Sequence, residues 1–263
     1  MLDSGVSTEQ ACGDMLVALL SIALLYAFLH VALPLPRTGG PEGAFVISQD
    51  FGSSLFICLL LFALYFSSFL SLRGTLEERW HGWTKYSHAA CAIHVAENVQ
   101  TSLLYPAMGK EAVFYAHHAL VIAGYGTAVL SGRAHFWCAA AGLTEGTNVF
   151  LFAIISGSYL GWPPLAKGGV VHTASGALLW LSFTILRLSL LPWALYAYVQ
   201  DALLQPDVWR QLPFVLQYLQ WPSGAIIVGL SALWYVKISK GVLKALGVGV
   251  GGDDEGTAPR KRE

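Results

Sequence analysis

The sequence predicts an all-α, polytopic membrane protein, and three observations carry that prediction. Seven apolar runs recur at a length that can span a bilayer, apolar side chains make up 55% of the chain, and charged ones only 12%. An ordinary soluble domain carries about 25% charged residues, so the deficit excludes that class. With about 20 residues as the span of a hydrocarbon core, the runs are Met15–Leu33, Phe51–Leu72, Trp83–Tyr105, Ala112–Leu130, Phe136–Leu160, Val170–Val199 and Phe214–Val236.

The first run follows Asp3, Glu9 and Asp14 with no Lys or Arg before it, and no Ala-x-Ala type of cleavage site follows. It reads as a retained helix and not as a signal peptide. Pro34–Asp50, rich in Pro and Gly, reads as an exposed loop. The third run is the most polar. Its Ser87, Cys91, His94, Asn98 and Thr101 recur at spacings of four, three, four and three, with Glu97 at the edge and His88 beside Ser87. That spacing lines one helical face. Against lipid tails each group would lack a partner, so the face must look into the bundle or into a wet cavity. An interhelical hydrogen-bond network is the structural alternative.

The fourth run opens on His117-His118 and carries Tyr125 further along. Adjacent helical residues point about 100° apart, so one imidazole can aim at a central point while the other reaches a neighbouring helix. An imidazole is suited to take a proton from an amine or hydroxyl; a pair snorkelling to headgroups is the plain alternative. The fifth run holds Thr144, Glu145 and Asn148, with Glu145 about midway. A carboxylate at that depth must be paired or protonated, and His94, His117, His118, His172 and Arg187 are the candidate partners. Arg187 lies in the sixth run ahead of Pro192, which should bend that helix. A Glu145–Arg187 ion pair is the economical expectation. Beyond the seventh run, Leu246–Glu263 should be disordered. It ends in Arg260-Lys261-Arg262-Glu263, which resembles a degenerate dibasic endoplasmic-reticulum retrieval signal and serves equally as a solvated basic tail.

Charge and cysteine usage narrow the classes further. The net charge of -1, with no basic stripe interleaved with aromatics, excludes nucleic-acid binding. Cys12, Cys58, Cys91 and Cys138 stand singly, so neither a zinc site nor a disulfide framework is indicated, and no metal is expected. On seven spans, Arg37, Lys110, Lys167, Lys237, Lys240, Lys244, Arg260, Lys261 and Arg262 share the face of the carboxyl terminus, against Arg73, Arg79, Lys85, Arg133 and Arg210 opposite. Nine against five predicts a cytosolic carboxyl terminus.

Trp83 with Ser87-His88-Ala89, His117-His118 with Tyr125, Glu145 with Asn148-Val149-Phe150, and Phe183 with Arg187 and Pro192 fall in order on successive helices. Together they resemble the TLC domain, named for the TRAM, LAG1 and CLN8 proteins, from about Phe51 to Lys237. The resemblance implies a six-helix membrane barrel around a central cavity for an acyl chain, preceded by one amino-terminal helix. It divides the chain into an amino-terminal segment over 1–50, a TLC-like domain over 51–240 and a tail over 241–263.

Ceramide synthases of that family carry two aspartates four and seven residues before a glutamate. With Glu145 as that glutamate, the positions here are Ala141 and Cys138, neither of which can orient an imidazole as a carboxylate would. His117 also lies closer to Glu145 in sequence than in the synthases. The chain is more similar to members outside the synthase branch, for which the resemblance implies lipid transport, sensing or control of membrane composition, with the endoplasmic reticulum as the expected location. Ser87, His88, His94, Glu97, Asn98, Tyr125, Glu145, Asn148 and Arg187 are then the expected polar groups of a cavity for membrane lipids or fatty acyl chains. The alternative is an acyltransferase taking acyl-CoA as substrate in sphingolipid-type N- or O-acylation. There His117 or His118 would be the base or acyl carrier, and Glu97 or Glu145 would orient it. A channel or proton-coupled transporter would also use intramembrane His and Glu, but no internal repeat favours it. No cofactor is indicated, and nothing in the sequence speaks to oligomeric state.

Overall fold

The computed structural model describes residues 7–32, 56–108, 112–160, 163–164 and 166–245, nearly all of them helical and none in a strand. The predicted Pro34–Asp50 loop and the tail from Leu246 lie outside the described residues. In chain order the helices are α1 (Thr8–Ala32), α2 (Leu59–Leu72), α3 (Leu76–His81), α4 (Lys85–Met108), α5 (Ala112–Ser131), α6 (His135–Gly142), α7 (Gly146–Leu160), α8 (Val170–Ser182), α9 (Leu191–Leu204), α10 (Pro206–Arg210) and α11 (Gln220–Ala245). A 3-10 turn, Leu143–Glu145, joins α6 to α7, and π-helical stretches Phe183–Leu190 and Val215–Leu219 precede α9 and α11.

Five continuous stretches are long and apolar enough to cross a membrane: Thr8–Leu29, Ala112–Ser131, His135–Ile155, Val170–Leu204 and Val215–Lys244. Phe56–Leu72 is apolar and shorter over its described residues. Helix α4 has the length, 24 residues, but its polar stripe lowers its hydropathy, and packing on α1, α2, α5 and α6 holds it in the bundle. Its two ends bond to different neighbours, because a helix of this length runs about 36 Å.

Both longer π-helical stretches stand two or three residues ahead of a proline, Pro192 and Pro222. Proline has no N–H and its ring collides with the carbonyl four residues back; widening the preceding turn to an i→i+5 register relieves that collision. The bend expected at Pro192 takes this form.

Two buried clusters anchor the bundle. The larger joins α1, α2, α4, α5 and α6 through Ile22, Leu61, Tyr65, Cys91, Tyr125, Val129 and Cys138. The second fills the end of the bundle away from the carboxyl terminus. Trp80 there lies 5.6 Å from Trp137 and 5.0 Å from Tyr198 between ring centroids. Arg79 pairs with Asp201 at 3.0 Å beside them. Each such ring pair adds about 0.5–1.5 kcal/mol beyond its burial. Helix α3 is started by a capping box in which the Thr75 hydroxyl accepts from the Glu78 N–H and the Glu78 carboxylate accepts from the Thr75 N–H.

Candidate functional site

One cavity of about 530 Å³ runs through the bundle. Its walls come from the residues just before α2, from α4, α5 and the α6–α7 unit, from the α8–α9 unit and from α11, whereas α1 packs outside against α4 and α5. Val113, Lys237 and Ile238 line it at the end of the bundle that carries the carboxyl terminus, and Val113 and Lys237 are exposed there. The aromatic cluster occupies the opposite end. A few polar groups set among apolar walls, as here, is the usual composition of a small-molecule site.

Of the residues expected in the cavity, His94, Glu97, Asn98, Tyr125, Glu145, Asn148 and Arg187 line it, and so do His117 and His118. Ser87 and His88 do not. The Ser87 hydroxyl closes the start of α4, accepting from the Thr84 N–H at 2.9 Å, while the Thr84 hydroxyl accepts from the Ser87 N–H at 3.0 Å. His88 turns to α1, where its Nε2 lies 3.1 Å from the Asp14 carboxylate. The first helix begins at Thr8, seven residues ahead of the predicted Met15, and that extension brings Asp14 opposite α4.

The Glu145 carboxylate meets His94. Glu145 Oε1 is 3.7 Å from His94 Nε2, and the Tyr65 hydroxyl lies 2.8 Å from His94 Nδ1. His94 thus sets Nε2 toward the carboxylate and Nδ1 against the phenol. The Tyr65 hydroxyl also reaches the Ala90 carbonyl at 3.3 Å, and the Tyr125 ring covers the imidazole at 4.4 Å between centroids. Tyr65 is fully buried and is absent from the expected set; the signal for it is a phenol inside an apolar run, whose hydroxyl must find a partner.

The direct Glu145–Arg187 ion pair does not form. Asn148 stands between them: its amide donates to Glu145 Oε2 at 2.8 Å, and its carbonyl accepts from Arg187 Nη2 at 3.4 Å. Arg187 Nε donates to the Thr147 hydroxyl at 2.9 Å, and that hydroxyl donates to the Thr144 carbonyl at 2.8 Å. Asn148 and Thr147 start α7 directly after the turn bearing Glu145, so they reach the guanidinium before the carboxylate can. Thr147 was also absent from the expected set. The Cys58 thiol, 4.0 Å from Glu145 Oε2, completes the surroundings of the carboxylate.

The paired histidines divide as the helical geometry predicts. His118 faces α4, its Nδ1 3.3 Å from both the Ser102 hydroxyl and the Asn98 carbonyl. The Nδ1 of His117 is buried without a hydrogen-bond partner, and among the described residues no carboxylate stands within ion-pair reach of His117. Ala141 lines the cavity, and Cys138 is buried behind it with its carbonyl accepting from the Tyr125 hydroxyl at 3.2 Å. His172 is not among the lining residues.

A family model for the TLC domain of the TRAM, LAG1 and CLN8 type matches residues 47–240. No curated protein and no solved structure matches the chain significantly.

Proposed function

The chain belongs to the TLC-domain family, and from that premise we propose that it is a lipid-handling member outside the ceramide-synthase branch. Its cavity takes a lipid or fatty acyl chain, and the protein acts in transport, sensing or control of membrane composition, with the endoplasmic reticulum as its site and a cytosolic carboxyl terminus. The observation that carries this reading is a cavity of about 530 Å³, walled by membrane-spanning helices, that reaches the surface at one end. Two local features favour binding over ceramide synthesis. Ala141 occupies a cavity position where a synthase would place a carboxylate, and the ion-pair contact of Glu145 is with His94, outside the His117-His118 pair.

Lipid co-purification read by mass spectrometry tests the reading, together with incubation of the purified protein with a long-chain base and acyl-CoA. A stoichiometric bound lipid and no ceramide above background are expected. Ceramide formation lost on changing His117 and His118 to Ala would overturn it. One observation favours the acyltransferase alternative: His117 lines the cavity and its Nδ1 has no hydrogen-bond partner among the described residues, as a general base with an available lone pair requires. In that version His117 takes the proton of the attacking amine or hydroxyl as it adds to the thioester of acyl-CoA, and returns it to the thiol of CoA as that leaves.

A further inference from the structure

Arg187 is buried in a π-helical stretch of a membrane-spanning segment, with only 7% of its surface exposed, and it lines the cavity. Its contacts among the described residues are to neutral groups: the Thr147 hydroxyl, the Asn148 carbonyl and the face of Phe183, 5.3 Å from the guanidinium carbon. The bonds use Nε and Nη2, which leaves Nη1 without a hydrogen bond among the described residues. A guanidinium presents its N–H groups in a planar fork that matches an anionic oxygen pair, and an intramembrane cation facing a cavity marks a site for the opposite charge. Glu145 is the nearest fixed anion, but Asn148, Cys58 and His94 occupy it, and Asn148 keeps it out of direct contact with Arg187.

The shape of the space restricts the rest of the ligand. The cavity follows α11 from Gln220 to Lys237, about 25 Å at the helical rise per residue. About 530 Å³ drawn out over that length is an elongated space that suits one extended chain better than a compact ligand.

We propose that the cavity selects a single-chain amphiphile with an anionic oxygen headgroup, carboxylate or phosphate, and that Arg187 Nη1 binds that headgroup. This rests on the lipid-binding reading above and narrows it. The test measures binding of palmitate, hexadecyl phosphate and 1-hexadecanol to the purified full chain in neutral detergent at pH 8, and repeats it in Arg187→Gln and Arg187→Lys. A charge-assisted bond in this setting supports a preference of about ten-fold or more for an anion over the alcohol. The preference should fall to near one in Arg187→Gln and persist in part in Arg187→Lys; the better of the two anions identifies the headgroup. Equal binding of all three probes to the unmodified chain would overturn the anion site while leaving lipid binding intact, and so would a preference that survives Arg187→Gln. Binding of none of them would overturn the lipid-binding reading itself.

Discussion

Gly142 is the position at which one methyl group should reach the candidate site through packing alone. It closes α6 against the ring of Tyr65, and a Cβ built there would fall within 3 Å of three ring carbons. Tyr65 is fully buried and cannot swing aside without leaving His94 Nδ1, its partner at 2.8 Å. Overpacking of this kind costs about 1–3 kcal/mol. An interhelical hydrogen bond within a membrane averages only about 0.6 kcal/mol, so the steric cost exceeds that of the lost bond. Gly142→Ala should therefore lower stability by about 2–3 kcal/mol, which for a chain of this size lowers Tm by about 5–10 °C. The contact atoms are ring carbons and not the hydroxyl, so Tyr65→Phe should not rescue Gly142→Ala, whereas Tyr65→Leu should recover part of the loss. Thermal unfolding of Gly142→Ala, of each Tyr65 change and of the two combinations, in one detergent, decides it. A Gly142→Ala protein within about 0.5 kcal/mol of the parent, the usual spread for neutral changes, would refute the packing argument, as would rescue by Tyr65→Phe equal to that by Tyr65→Leu.

Three further outcomes are expected. Glu145→Ala removes the anion that faces Arg187 across Asn148 and should cost less than the ~3–5 kcal/mol of a broken direct pair, while Glu145→Ala with Arg187→Met should cost less than the two single changes added together; strict additivity in a melting cycle would mean the two charges are not coupled. His117→Ala should leave melting nearly unchanged, because its Nδ1 already lacks a partner, whereas His94→Ala breaks contacts to both Tyr65 and Glu145; a larger loss at His117 than at His94 would count against this geometry. Outside the membrane-spanning segments, His81 is held below its usual pKa of 6.5, first by burial and then by the charge of Arg133, whose Nη1 donates to His81 Nδ1. A folded-state pKa below the unfolded one gives a contribution present above about pH 6.5 and lost as the pH falls through the lower value. Melting should therefore drop on acidification below that pH, and His81→Asn should flatten the drop; an unchanged pH profile in His81→Asn would assign it to other groups.

The apolar runs were legible because hydrocarbon length and composition constrain each one independently of its neighbours. Helices form at all seven, with ends displaced by a few residues where polar side chains such as Asp14 continue a helix beyond its apolar part. The inward turn of His94, Asn98 and Thr101 was legible for the same local reason, since a polar stripe has nowhere else to go in a membrane. What the stripe meets depends on how neighbouring helices are rotated, and no local pattern encodes that. Ser87 and His88 share the stripe with His94 but lie at the helix start, beside Thr84 and Asp14. Arg187 and Glu145 have opposite charges at compatible depths, yet Thr147 and Asn148, only two and three residues from Glu145, take the geometry that a direct pair would need.

The spacing of buried residues around Arg187 explains why the wider turn lies where it does. Ser175, Leu179, Phe183, Arg187 and Leu191 are all buried and follow one another every fourth residue; Ala194, Tyr198 and Asp201 then continue at three, four and three. In a uniform α-helix each step of four drifts by about 40°. Four such steps would carry Leu191 about 160° away from Ser175, to the opposite side of the helix. The π-helical stretch Phe183–Leu190 absorbs that drift by widening its turns, and the regular α spacing resumes at Leu191. Pro192 makes the widened register less costly than the regular one, since it removes the donor that an i→i−4 ladder would require. The proline therefore acts on the site through the backbone: it keeps Arg187 on the same inward face as Leu179 and Phe183, where the cavity lies, although Pro192 is not among the residues that line it.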